Sequence, residues 1–227
     1  MKKAVILLSG GLDSTTVCAI AKKENYEIYA LSFNYQQRHN IEIEFAKKIA
    51  NKMQLKEHKI ANIDLTIFGN SALTDNNLEV PKLQDVENQK NIPITYVPAR
   101  NTIFLSFALA YSETIGANDI FIGANAIDYS NYPDCRPEFI AAFEKLANKA
   151  TAIDNSRFKI HAPLINLTKA QIIKKGLELN VDYKISHSCY DPIIISNKIY
   201  GCGTCDSCLL RLKGFKEIDT KDPYPYK

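Results

Sequence analysis

Lys3-Ala4-Val5-Ile6-Leu7-Leu8-Ser9-Gly10-Gly11-Leu12-Asp13-Ser14 is the stretch that decides the fold. Its first six residues are mostly apolar and rich in branched aliphatics, which suits a strand buried on both faces. Two glycines break the run, and residues 14–23 read as a helix. Strand, glycine turn and helix form the opening unit of a parallel α/β sheet. Adjacent glycines reach backbone conformations that a Cβ hinders. Successive N–H groups can then point into one concavity, and the helix N-terminus adds partial positive charge. Ser9 and Ser14 add hydroxyl donors. The product is a phosphate cradle. Asp13 is the odd member, because phosphates repel a carboxylate unless a cation lies between them; magnesium bridging Asp13 to the phosphates resolves the conflict. The plainer alternative is a tight turn with Asp13 or Ser14 as helix cap. The loop matches neither a Walker A loop nor G-x-G-x-x-G.

Working outward, residues 27–33 and 56–61 are strand-like. Residues 41–53 carry Ile41, Phe45, Ile49 and Met53 at four-residue steps with Lys and Glu between them, an amphipathic helix. Residues 101–115 read as a long apolar helix and 119–123 as a strand. Residues 137–151 form a helix opened by Pro137, and 169–180 a helix capped by Thr168. This alternation predicts a parallel sheet with helices on both faces, with ligands bound beyond the carboxyl ends of the strands. Residues 63–98 are polar and poorly periodic, a lid-like connection or small insert. After about residue 181 cysteine, glycine and proline rise. The expected division is therefore a nucleotide-binding α/β domain over 1–181 and a small C-terminal subdomain over 182–227.

The 227 residues suffice for a sizeable core without disulfides. With 46% hydrophobic and 23% charged residues the chain is ordinary for a globular protein, which excludes a largely disordered one. A net charge of +3 argues against a general nucleic-acid coat. The apolar start is too short for a signal peptide and no run approaches a membrane span. A cytoplasmic location is the expectation, so six cysteines read as thiols or metal ligands.

Four of them, Cys189, Cys202, Cys205 and Cys208, form C-x12-C-x2-C-x2-C. Gly201 and Gly203 let the chain turn so that the thiolates converge. Four thiolates at about 2.3 Å around one ion make a closed structural zinc site, which would staple a subdomain too small to fold on its own core. An iron–sulfur cluster is the rival; the upstream fourth ligand and the missing C-P favour zinc. Cys18 reads as a packed thiol, and Cys135 as a weak candidate nucleophile with no histidine near it in sequence. His39, His58 and His161 form no pattern.

The string Ser9-Gly10-Gly11-Leu12-Asp13-Ser14 matches the S-G-G-x-D-S signature of the PP-loop ATP pyrophosphatases. Further stretches, in order, are Asn34-Tyr35-Gln36-Gln37-Arg38-His39, Val97-Pro98-Ala99-Arg100-Asn101, Tyr132-Pro133-Asp134-Cys135-Arg136-Pro137-Glu138-Phe139, Ser188-Cys189-Tyr190 and the cysteine block through Arg211. Together they resemble the 7-cyano-7-deazaguanine synthase family of the queuosine precursor pathway, from about Ala4 to Phe215. The resemblance implies an ATP-dependent ligase. It converts 7-carboxy-7-deazaguanine and ammonia to the 7-nitrile through an adenylated acid and an adenylated amide, releasing AMP and pyrophosphate. It implies structural zinc on the four cysteines, magnesium with ATP, and a homodimer that binds no nucleic acid stably. ATP would contact Leu8, Ser9, Gly10, Gly11, Leu12, Asp13, Ser14, Thr15 and Phe33. Asp13, Ser14 and Lys169 would be catalytic, and Arg38, Arg100, Asn101, Asp134 and Arg136 would hold substrate. Asp134 and Asp128 are candidates for the guanine-like amidine edge or for magnesium. Phe33, Tyr35 and Tyr132 are candidates for stacking. The family often reads D-Y-G-Q-R-H and P-G-R-N where this chain has Asn34, Gln36 and Ala99, and Trp where it has His187. Two other readings stay open: a PP-loop enzyme that modifies tRNA, and a zinc-containing module that binds ATP without consuming it.

Overall fold

The computed structural model describes residues 1–38, 40–83, 91–127, 132–152 and 158–227. Five parallel strands make one sheet: β1 (Lys2–Leu7), β2 (Tyr26–Asn34), β3 (Glu57–Asn62), β4 (Asp119–Phe121) and β5 (Lys159–His161), in the order β3-β2-β1-β4-β5. Among the described residues six α-helices accompany them: α1 (Leu12–Lys23), α2 (Ile41–Lys52), α3 (Arg100–Ile115), α4 (Pro137–Ala150), α5 (Lys169–Glu178) and α6 (Asp206–Glu217). Side chains alternate across β1 as the period of two requires. Ala4 and Ile6 pack with α1, α5 and Phe215, while Val5 and Leu7 join the cluster that holds Leu105 and Phe143 of α3 and α4. Helices therefore cover both faces, as expected.

Chain order reverses at β1. From β1 the chain runs outward through β2 and β3, then returns to β4 on the other side. Such a switch point opens a crevice between the carboxyl ends of β1 and β4, because the two connections leave in opposite directions. The glycine loop leaves β1 on one side of that crevice and Gly123 follows β4 on the other. A Cβ on Gly123 would stand 3.2 Å from the Ser14 backbone nitrogen, so a side chain there would crowd the approach of the two walls.

The strand β5 and the helix α6 were not anticipated from the sequence. The expected strand over 119–123 ends at Phe121, and the helix over 169–180 ends at Glu178. Thr168 does cap α5, in a full capping box with Gln171. Past residue 181 the chain forms an antiparallel hairpin, β6 (Ile193–Ile195) and β7 (Lys198–Tyr200), and then α6. Phe215 of α6 and Tyr183 pack into the α1–α5 core. Arg211 is buried and donates to Asp222 and to the Tyr183 and Ser186 carbonyls, so it clamps the tail to this core. Among the described residues no helix is long and apolar enough to cross a membrane.

Candidate active site

The loop after β1 is held by its own hydroxyls and by two neighbours. Ser14 Oγ accepts from the Ser9 N–H at 3.2 Å and lies 3.0 Å from Ser9 Oγ. Thr15 Oγ1 donates to the Gly11 carbonyl at 2.7 Å. Gly10 has φ +87°, and a Cβ there would lie 2.4 Å from the Glu42 carbonyl oxygen, so only glycine permits both the turn and the contact with α2. From the C-terminal side, the His187 N–H donates to the Gly10 carbonyl at 2.8 Å, and Ser188 Oγ accepts from the Leu12 N–H at 3.3 Å. The segment entering the cysteine site thus forms one wall of the loop.

Asp13, in the first turn of α1, meets Lys169, the first residue of α5. Lys169 Nζ lies 2.8 Å from both carboxylate oxygens, and the pair is largely withdrawn from solvent. The two residues are 156 apart in sequence, and the packing of α1 against α5 brings them together.

A cavity opens in front of this loop. Leu8, Ser9, Gly11, Leu12, Asp13, Ser14 and Phe33 line it, as do Arg38, Arg100 and Asn101. Gly10 and Thr15 are buried behind the loop. Phe33 stacks on Phe104 with centroids 3.9 Å apart, and Tyr35 packs on the same ring. Arg38 Nη2 donates to the carbonyls of Asn76 and Leu78, tying the 63–83 segment to the cavity rim. Tyr35, Asp134, Tyr190 and Tyr132 surround the Arg100 guanidinium; burial opposes its charge, and they more than offset that.

Asp134 serves α3. Its Oδ2 accepts from the Asn101 N–H at 2.9 Å, placing a carboxylate at that helix's positive end. Burial raises its pKa, while the Asn101 N–H and Arg100 pull the other way. Asn101 Nδ2 donates in turn to the Asp134 carbonyl. Arg136 is not brought to this group; it is exposed at the start of α4, outside the cavity lining. Asp128 and His39 lie outside the described residues. Cys135 lines the cavity, but burial and the nearby Asp134 push its thiol up to about 11, which leaves little thiolate for nucleophilic work. Burial pushes the Cys18 thiol up to about 12.

Sequence reading passed over Gln37 and Glu42, which also line the cavity. Burial raises the Glu42 carboxyl to about 7 against the lowering influence of Arg100. In the sequence Glu42 is one of several acids on an amphipathic helix; only its place in the first turn of the helix that follows β2 hints otherwise. His187 is buried, stacks on Phe45 and has its Nδ1 2.6 Å from the Tyr224 hydroxyl. Its Nε2 faces the Cys189 carbonyl at 3.1 Å. A carbonyl only accepts, so Nε2 carries the proton and Nδ1 accepts from Tyr224.

The four cysteines Cys189, Cys202, Cys205 and Cys208 are buried, with their sulfurs all within 4.8 Å of one another. Backbone N–H groups of Asp191 and Cys202 donate to the Cys189 sulfur, and that of Cys205 to the Cys202 sulfur. Buried soft donors, converging and already hydrogen-bonded from outside, are what a metal ion requires. The group can hold one.

A parallel sheet with this loop at its switch point defines the PP-loop class of nucleotide-binding α/β enzymes. The fold is similar to that of a predicted subunit of tRNA methyltransferase from Methanocaldococcus jannaschii, with a TM-score of 0.51 over all of this chain and 93% of that one; at 14% identity the likeness concerns the fold alone. The model of the queuosine biosynthesis protein QueC family matches residues 3–219, and the chain belongs to that family. It is 58% identical to the 7-cyano-7-deazaguanine synthase of Desulfatibacillum aliphaticivorans, over 99% of this chain and 97% of that protein. It is 57% identical to that of Rickettsia felis over the whole of both chains. The chain is thus an enzyme of queuosine biosynthesis.

Proposed function

We propose that the chain converts 7-carboxy-7-deazaguanine to 7-cyano-7-deazaguanine, consuming ammonia and two molecules of ATP. The observation that carries this reading is the Asp13–Lys169 pair at the mouth of the glycine loop, beside a cavity lined by Arg100 and Phe33. The Gly11 and Leu12 N–H groups donate to the rotatable hydroxyls of Ser9 and Ser188, which phosphate oxygens can replace. In the proposed complex the loop holds the β- and γ-phosphates. Lys169 is placed to turn from Asp13 to a phosphate oxygen, and Asp13 would then be free to hold magnesium. A hard cation suits a carboxylate that already faces an ammonium. Magnesium, when bound, neutralises charge on the triphosphate.

The substrate carboxylate attacks the α-phosphorus, forming an acyl adenylate as the bond to the leaving pyrophosphate breaks. Ammonia adds to the acyl carbon and loses a proton; AMP departs and the amide remains. The amide oxygen attacks the α-phosphorus of a second ATP, again releasing pyrophosphate. Loss of two N–H protons and of AMP leaves the nitrile. Both rounds attach an oxygen on the same carbon to phosphorus, so one site serves both. Positioning and charge neutralisation carry most of such catalysis. Arg100 and Arg38 suit the substrate carboxylate and the phosphates, since a guanidinium binds oxyanions bidentately. Phe33 and Tyr35 supply apolar faces for a planar base.

Zinc is the metal we assign to the four thiolates. Tetrahedral bonds of about 2.3 Å put sulfurs roughly 3.8 Å apart, close to the 4.0 Å between Cys189 and Cys205. A four-iron cluster would give each sulfur its own iron and spread them further. Reduced thiolates and ATP chemistry fit the cytoplasm, and the exposed isoleucines of β6 offer an apolar surface to the expected homodimer. Mass spectrometry after incubation with 7-carboxy-7-deazaguanine, ammonium and Mg-ATP tests the reading: nitrile with AMP and pyrophosphate is expected. A tRNA-modifying enzyme or a non-consuming ATP module would release no pyrophosphate in response to 7-carboxy-7-deazaguanine.

A further inference from the structure

Glu42 is the second residue of α2, and no step above uses it. It lines the cavity with Tyr35, Gln37, Arg38 and Arg100. Among the described residues its carboxylate accepts no hydrogen bond. Glu44, two residues on, behaves as a helix acid ordinarily does: it is exposed and pairs with Lys47. Glu42 is half-buried, and the nearby Arg100 charge only partly offsets the cost of withdrawing its carboxylate from water.

Gln37 provides a second, separate anomaly in the same wall. Its Oε1 accepts from the Tyr35 N–H at 2.9 Å, which fixes which end of the amide is which. Its Nε2 is then buried with no partner among the described residues, and the residue is only 9% exposed. An unmade hydrogen bond of this kind is unusual in a native interior and asks for an explanation. The loop between β2 and α2 thus brings to one cavity an unused acceptor pair and an unused donor.

Few ligands satisfy both. A phosphate would meet the Gln37 donor but is repelled by Glu42. An ammonium ion would meet Glu42 but offers Gln37 no acceptor, and the Arg100 charge beside Glu42 disfavours a cation there. A neutral planar heterocycle with two N–H donors beside an exocyclic oxygen satisfies both at once. Asp134, the expected acceptor for such an edge, already takes the Asn101 N–H and does not line the cavity.

We infer that Glu42 and Gln37 read the pyrimidine edge of the substrate: Glu42 accepts from the ring N–H and the 2-amino group, and Gln37 donates to the adjacent exocyclic oxygen. This rests on the substrate assigned above. It makes the β2–α2 loop the specificity determinant for a 2-amino-4-oxo base.

The test is steady-state kinetics on the parent acid and its 2-deamino analogue, with ATP and ammonium varied separately. Wild type should prefer the parent by about 10- to 100-fold in kcat/KM, the range of one or two hydrogen bonds to a charged group. Glu42→Gln should lower kcat/KM for the parent by a similar factor, mainly through KM, and should no longer discriminate between the two acids. KM for ATP and for ammonium should not move. Gln37→Glu keeps the acceptor for the Tyr35 N–H but reverses the donor, so it should weaken both acids alike, since both retain the oxygen. Circular dichroism and metal content confirm folding, and Glu42→Asp gives a milder variant should Gln fail to fold. Preserved discrimination in a folded Glu42 variant, or a loss confined to ammonium KM, overturns the inference. Absence of nitrile from wild type with the parent acid instead overturns the assigned function.

Discussion

Replacing Glu42 by Gln should stabilise the ligand-free protein at neutral pH, and by an amount that depends on pH. Burial lifts the folded-state carboxyl to about 7, against an ordinary 4.5. Arg100 opposes the rise without cancelling it, and Arg38 and His187 line the same cavity. Below pH 4.5 the group is neutral in both folded and unfolded chains and contributes nothing. Between about 4.5 and 7 the unfolded chain ionises while the folded one does not, so stability falls as pH rises. Above 7 both are ionised and the loss is complete. At about 1.36 kcal/mol per pH unit the full difference is roughly 3 kcal/mol, an upper value because the side chain keeps some solvent. Gln resembles the neutral acid and escapes the loss. For a chain of this size each kcal/mol moves Tm by about 2–4 °C. Melting Glu42→Gln and wild type side by side should therefore show coincident Tm at pH 4.5 and a gap of about 5–10 °C in favour of the variant by pH 7.5. A gap that ignores pH, or a variant that melts lower at pH 7.5, would refute the burial argument.

Three further outcomes are expected. Ala99 and Gln36 sit at φ 53° and 61°, the left-handed region, where the resembling family often carries glycine; Ala99→Gly and Gln36→Gly should each raise stability by up to about 1 kcal/mol in denaturant melts, and a loss in both would show the strain is not felt. Asp13→Asn should leave Tm within a few degrees yet lower turnover by at least about 100-fold, and wild-type rates would remove Asp13 from the chemistry. Cys205→Ser should lose metal by elemental analysis and lower Tm; full metal content with unchanged Tm would contradict the four-thiolate site.

Much of the architecture is legible because it follows from local rules. The branched aliphatic run, the glycine break and the four-residue apolar steps each report one element. Helix starts such as Pro137 and Thr168 carry caps that act within one turn. β5 escapes because three residues carry too little pattern. α6 escapes because its buried face includes Asp206, Cys208 and Arg211, residues that look polar or metal-binding in sequence. The loop and the cysteine block are contiguous or nearly so, and therefore visible. The pairing of Lys169 with Asp13, the engagement of Asp134 by Asn101, and the place of Gln37 and Glu42 in the cavity wall arise only when segments distant in sequence pack together. No single segment records them.

If the loop after β1 holds the outer phosphates, the substrate's oxygen must be joined to the α-phosphorus. The most direct measurement follows that oxygen. With the acid labelled by ¹⁸O in its carboxylate, label is expected in AMP and none in pyrophosphate. Label in orthophosphate, with ADP as the nucleotide product, would contradict it.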